Sequence, residues 1–328
     1  MTPAELQDFL TKLFKTPERR CAIFIEGGPG IGKNAIIAAA ASAAKKDLMT
    51  IALPTCEAVD LRGLPQIKDG RTTWACPLPR EGQGVLFLDE SSSAQPDVQV
   101  AAHHVVWSEQ GSDMTLGLGW HVILTGNRST DKTQYRALSG PLRNRMIIVK
   151  LEADVASWAT WAMEAGIQPE VIGCLRWRPE LLAAKEVPAE GAFCSPRAWE
   201  RVSHILGLST PANVERELLI GTIGEGPATE FLAYLKTYRE LPALEAIIAA
   251  PDKATVPTSP ALQYAITTAL SQYTKEKQIS AMPYMKRLPA TFGLLYIRDI
   301  RDKYKIGADK DIRSWIAEHK SLFTDEDK

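Results

Sequence analysis

The stretch Gly27-Gly28-Pro29-Gly30-Ile31-Gly32-Lys33-Asn34 constrains this chain more than any other. It follows the apolar run Cys21-Ala22-Ile23-Phe24-Ile25 and precedes an alanine-rich run from Ala35 to Ala44. Strand, glycine turn, helix is the context that a phosphate-binding P-loop requires. The glycines let backbone N–H groups converge on a phosphate chain without Cβ clashes, and the helix offers the same anion its positive end. The candidate nucleotide-binding residues are thus Gly27, Gly28, Pro29, Gly30, Ile31, Gly32, Lys33, Asn34 and Ala35. Lys33 is placed to reach the outer phosphates as a point charge. Asn34 breaks the pattern, since Ser or Thr normally stands there and supplies a hydroxyl to Mg2+.

At 328 residues the chain has room for one large domain or two modest ones. With 45% hydrophobic and 23% charged residues it has an ordinary globular composition. A formal net charge of -1 leaves no polyelectrolyte footprint, although a local basic pore would escape this test. The cysteines Cys21, Cys56, Cys76, Cys174 and Cys194 are odd in number and lack C-x-x-C spacing, so zinc ligation and a disulfide scaffold are not expected. The start Met1-Thr2-Pro3-Ala4-Glu5-Leu6 lacks the basic and apolar regions of a signal peptide. No apolar run approaches the roughly 20 residues that span a bilayer, so a cytoplasmic protein is expected.

In chain order, Leu6, Phe9, Leu10, Leu13 and Phe14 predict an amphipathic lead-in helix, ended by Pro17 and Glu18-Arg19-Arg20. After the P-loop helix, Leu48 to Leu53 reads as a second strand. From Thr55 to Gly84 the chain turns to Gly, Pro and charge, with a short hairpin expected between Ile67 and Trp74 over Asp69-Gly70. Val85-Leu86-Phe87-Leu88 is continuously apolar, as a strand buried on both faces should be, and it ends in Asp89-Glu90. A helix follows from about Asp97 to Glu109, then a glycine-rich hairpin from Ser112 to Trp120 and a fourth strand over residues 121–125. Met146-Ile147-Ile148-Val149 forms a fifth strand. Beyond about Leu151 the pattern is helical, with Ser195 as an N-cap and Pro196 at the first helical position of one segment. The terminal Asp325-Glu326-Asp327-Lys328 is expected to fray.

The carboxylate pair sharpens the P-loop reading. A strand ending in Asp89 places one carboxylate to hold Mg2+ through water, and Glu90 is placed to polarise an attacking water. Acids at a strand end are common, but both motifs in this order are specific. Asn127 ends the next apolar strand, where its amide would meet water or a terminal phosphate; a simple turn-forming Asn before Arg128 is the plainer alternative. Arg143 and Arg145 precede the fifth strand and point away from their own nucleotide, towards a neighbouring subunit or simply into solvent. Arg197 could fold onto the phosphates from the later helices.

These features resemble the AAA+ ATPases and, within them, the MoxR-type branch, over roughly residues 1–205. The resemblance rests on Gly27 to Lys33 as Walker A, Val85 to Glu90 as Walker B and Asn127 as sensor 1. Arg145, with Arg143 second, matches the arginine-finger box, and Arg197 matches sensor 2. It implies an α/β fold: a five-stranded parallel αβα P-loop domain over 1–150, a helical lid over 151–205 and a helical C-terminal region over 206–328. It also implies ATP and Mg2+ as cofactors, a ring, usually a hexamer, and chaperone-like remodelling of a protein partner, often a von Willebrand factor A-domain protein. Two rival expectations stand beside it. One is a nucleotide-gated scaffold ring that turns over little because of Asn34. The other is a DNA motor, which the near-neutral charge disfavours.

Some residues carry less. His103 and His104 have no acid or cysteine at ligand spacing, so a structural role is expected. Trp158, Trp161, Trp177 and Trp199 read as core rather than a stacking platform. Arg301-Asp302-Lys303-Tyr304-Lys305 reads as a mixed-charge helix face. Glu57 and Asp60-Leu61-Arg62-Gly63 are either an exposed turn or a pore or partner surface.

Overall fold

A computed structural model describes residues 1–17, 21–107, 116–131, 135–241, 243–304 and 310–319. The chain divides into two compact units, the first made of residues 1–154 with 185–190, the second of 155–184 with 191–328.

The first unit is a three-layer αβα domain. Its strands are β1 (Ala22–Glu26), β2 (Asp47–Ala52), β5 (Gly84–Asp89), β6 (Trp120–Gly126) and β7 (Met146–Lys150). They form one sheet in the order β2-β5-β6-β1-β7, every pairing parallel, as the sequence predicts. The central strands β1, β5 and β6 are buried on both faces, which is why their sequences run apolar without alternation. Alternate residues still separate by face. Ile23, Ile25, Val85, Phe87 and Ile123 pack under α1 (Pro3–Phe14) and α2 (Lys33–Ala43). Phe24, Leu86, Leu88, Val122 and Leu124 pack under α3 (Ala58–Arg62) and α4 (Pro96–Trp107). The lead-in helix α1 is fixed at its start by a capping box between Thr2 and Glu5.

The predicted hairpin is present. β3 (Leu64–Lys68) pairs antiparallel with β4 (Arg71–Ala75), and Asp69 and Gly70 both take positive φ, at 54° and 72°. Two left-handed residues in a two-residue loop match the twist of the flanking strands. Glu57 and Asp60 cap α3 reciprocally, which accounts for both acids locally. Gly63 is required by space as well as by its φ of 80°, since a Cβ there would sit 2.1 Å from the Ala75 carbonyl oxygen. Of the glycine-rich stretch expected as a hairpin before Trp120, residues 112–115 lie outside the described residues and 116–119 form an irregular turn into β6. Glu18 to Arg20, Lys305 and the acidic C-terminus also lie outside the described residues.

The second unit is helical throughout its described residues: α6 (Val155–Glu164), α7 (Pro169–Trp177), α8 (Pro196–Gly207), α9 (Ala212–Ile223), α10 (Glu225–Arg239), α11 (Leu244–Ala249), α12 (Pro260–Ser271), α13 (Lys275–Met285), α14 (Ala290–Tyr304) and α15 (Lys310–Glu318). One apolar cluster takes in side chains from Trp158 to Ala265, so residues on both sides of position 206 share it. Trp158 and Trp199 are buried there, whereas Trp161 is 42% exposed. Arg176 on α7 and Asp299 on α14 form a buried bidentate pair at 2.6 and 2.8 Å, the guanidinium also donating to Thr268. No described helix is long and apolar enough to cross a membrane.

Candidate nucleotide-binding site

The loop after β1 reaches α2 through Gly30 and Gly32, with φ of 74° and 97°, values that an L side chain rarely adopts. Gly32 is the N-cap of α2, and no side chain caps the helix. The N–H groups of the first turn are therefore donors without an intrahelical partner, at the positive end of the helix. There is no acidic residue in that turn to compete with an incoming anion.

Strand register then assembles the rest. Ile25 stands opposite Thr125 and Glu26 opposite Gly126, and the Gly27 N–H donates to the Gly126 carbonyl at 3.1 Å. Asn127 is thereby delivered to the P-loop. The Lys33 ammonium donates to the Gly27 and Gly28 carbonyls at 2.6 and 2.9 Å and to Asn127 Oδ1 at 3.4 Å. On the other side of β6, Leu88 stands opposite Leu124, so Asp89 ends its strand beside Thr125. Asp89 Oδ1 accepts the Thr125 hydroxyl at 2.5 Å, and its Oδ2 accepts Asn34 Nδ2 at 2.6 Å. A carboxylate only accepts, so the nitrogen of the Asn34 amide is the atom that faces it.

Glu90 leaves the strand abruptly. It sits in the left-handed region at φ 55° and ψ 39°, with its N–H donating to Asp89 Oδ1 at 3.0 Å and to Thr125 Oγ1 at 3.2 Å. A non-glycine residue held there costs about 1–3 kcal/mol, and such strain collects at functional sites. Its side chain is exposed, and its carboxylate has no hydrogen bond or ion pair among the described residues.

The three arginines fall in different settings. Arg143 closes α5 (Gly140–Arg143) and is exposed. Arg145 is half-buried, with its guanidinium against the Nε2 of His103 on α4 and donating to the Pro141 carbonyl at 3.4 Å. The expected structural role for His103 is thus a contact with Arg145, and burial, then the arginine's charge, pushes the imidazole pKa down. No cluster of three or more His, Cys, Asp or Glu residues that could hold a metal occurs among the described residues. Arg197 is exposed in the first turn of α8, in the second unit.

Several residues of the site carry no recognisable motif. Thr125 is a fully buried hydroxyl in an apolar strand, and that polar break is the one sequence signal for it. Ser92, also buried, accepts the Asn127 N–H at 2.9 Å and so fixes the backbone that carries the Asn127 amide. Arg128 lies beside Gly28, where a Cβ would meet its Nη2 at 3.2 Å. Asp131 holds that guanidinium from a buried position.

Mg2+ takes oxygen ligands. Asp89 Oδ1 accepts both the Thr125 hydroxyl and the Glu90 N–H, whereas Oδ2 accepts only the Asn34 amide and keeps a lone pair to offer a cation. Asn34, its nitrogen committed to Asp89, has a carbonyl oxygen left to give. The residues therefore fit a hard divalent cation, with Asp89 and Asn34 as the groups that would hold it; bound there, it would neutralise charge on the phosphates.

No family model matches the chain, and no curated protein matches it. Among solved structures, NtrX from Brucella abortus is 18% identical over 91% of this chain and 67% of its own, with a TM-score of 0.39. A second NtrX structure, in complex with ADP, is 16% identical over 93% and 67%, with a TM-score of 0.38. RuvB from Thermotoga maritima is 16% identical over 87% of this chain and 85% of its own, with a TM-score of 0.41. These are distant likenesses that decide nothing about this chain. Its own geometry does: a glycine loop, an ammonium, an amide and a fixed carboxylate converge at the C-terminal ends of three parallel strands.

Proposed function

We propose that this chain is an ATP-binding and ATP-hydrolysing AAA+ protein of MoxR type that assembles into a ring, a hexamer, and remodels or assembles a protein partner. The observation that carries the nucleotide part is the pair of contacts Lys33–Asn127 and Asn34–Asp89, which join the P-loop to the ends of β6 and β5. In this reading Lys33 and the loop N–H groups bind the phosphates, and Asp89 and Asn34 hold Mg2+. Glu90 polarises the attacking water and Asn127 orients it. Arg143 or Arg145 acts on a neighbour's nucleotide, and Arg197 senses nucleotide from the helical unit. A von Willebrand factor A-domain protein is the partner class to try first.

Phosphate release measured for the wild type, Lys33→Ala and Glu90→Gln tests it. Losing a positioned general base costs about a hundredfold or more, so Glu90→Gln should retain nucleotide while turnover falls by that factor. Lys33→Ala should lose binding. Equal and negligible rates for the wild type and Glu90→Gln would instead support the scaffold ring, the reading that Asn34 favours.

A further inference from the structure

We infer that Arg128 is a phosphate-reading residue that acts in its own subunit and separates a nucleoside triphosphate from a diphosphate. This rests on the nucleotide-binding reading above. Arg128 and Asp131 form a tight turn in which Asp131 N–H donates to the Arg128 carbonyl at 3.1 Å and Arg128 N–H donates to Asp131 Oδ2 at 3.0 Å. The guanidinium is then gripped along one edge. Nε donates to Asp131 Oδ1 and Oδ2 at 3.1 and 3.3 Å, and Nη2 donates to Oδ1 at 2.8 Å. Nη2 also reaches the Lys185 carbonyl at 3.4 Å. Nη1 has no hydrogen-bond partner among the described residues.

The plain reading is a structural ion pair that neutralises a buried acid. Asp131 fits that reading, for its side chain is fully buried. The arginine does not, because 37% of its side chain remains exposed and its Nη2 and Cζ stand where a Cβ at Gly28 of the phosphate loop would meet them at 3.2 and 3.5 Å. A lysine would satisfy Asp131 alone. A guanidinium can hold one carboxylate along one edge and present its remaining donors, in fixed orientation, to a second anion.

Position along the loop indicates which phosphate it meets. The Lys33 ammonium rests on the Gly27 and Gly28 carbonyls, and a P-loop lysine serves the outer phosphates. Arg128 touches the loop at that same end, not at the helix start that cradles the inner phosphates. A diphosphate would leave its free donors with little to bind. Asp131 is the positioning residue, since it fixes both the turn and the orientation of the fork.

Fluorescence titration of the full chain with a non-hydrolysable ATP analogue and with ADP tests this. A lost hydrogen bond to a charged group is worth about tenfold or more in affinity. Arg128→Ala should therefore weaken the analogue by that factor and ADP by much less, with Arg128→Lys recovering part of the difference. Should Arg128→Ala fail to fold because Asp131 is left buried and unpaired, the double variant Arg128→Met, Asp131→Asn removes that charge, and the same change in ratio is expected. An unchanged ratio of the two affinities in the folded variant overturns the inference while nucleotide binding stands. A wild type that binds neither nucleotide overturns both.

Discussion

Asn34 shows how one side chain can be read differently once its neighbours are known. As a bare departure from Ser or Thr it is a defect. In the structure its amide nitrogen donates to Asp89 at 2.6 Å, so the acid keeps a donor partner from the P-loop helix. What changes is geometry. A hydroxyl serves the acid and a cation through a single oxygen, whereas the amide spreads the two tasks over two atoms. Turnover should therefore rise in Asn34→Ser, by about the tenfold that changes around a bound metal commonly produce. The Mg2+ concentration needed for half-maximal nucleotide binding should fall alongside it. An unchanged or lower rate in a folded Asn34→Ser protein would remove Asn34 as the cause of any slow hydrolysis.

Elements, rather than single residues, fix the arginines that lie away from the P-loop. Helix α4 carries His103 to the end of α5, where the imidazole meets Arg145. Burial, helped by that guanidinium, lowers the His103 pKa below its ordinary 6.5. The sign follows directly. Above pH 6.5 the group is neutral folded or unfolded and pH has no leverage through it. As pH falls below 6.5 the unfolded chain takes up a proton that the folded chain refuses, so stability is lost. His103→Gln should flatten this dependence: between pH 7 and about pH 5.5 its melting temperature should drop less than that of the wild type. Parallel curves would show that the histidine does not titrate across that range. The same contact ties up Arg145 and leaves Arg143, exposed at the end of α5, as the freer candidate to act across an interface.

At the scale of the assembled molecule, that choice becomes a mixing experiment. If Arg143 completes a neighbour's site, Arg143→Ala should bind nucleotide normally yet lose turnover, and Lys33→Ala should lose both. In a ring with head-to-tail interfaces, an equal mixture of the two inactive proteins creates native sites at about a quarter of the interfaces. Activity should reappear on mixing, and its failure to do so would return the role to Arg145 or to neither. Much of this molecule was legible before folding. The P-loop, the apolar strand ending in Asp89-Glu90, the hairpin over Asp69-Gly70 and the parallel sheet all depend on contiguous residues, whose backbone preferences and periodicity act locally. Asn34 with Asp89, Lys33 with Asn127 and Arg145 with His103 stand 55, 94 and 42 residues apart, and no local pattern encodes such pairings. Thr125, Ser92 and the Arg128–Asp131 clasp were silent for the same reason: a hydroxyl in a strand or a charge in a turn gains a role only when strand order and register set something beside it. Local chemistry wrote the phosphate loop, and the parallel register of β1, β5 and β6 decided which side chains would face it.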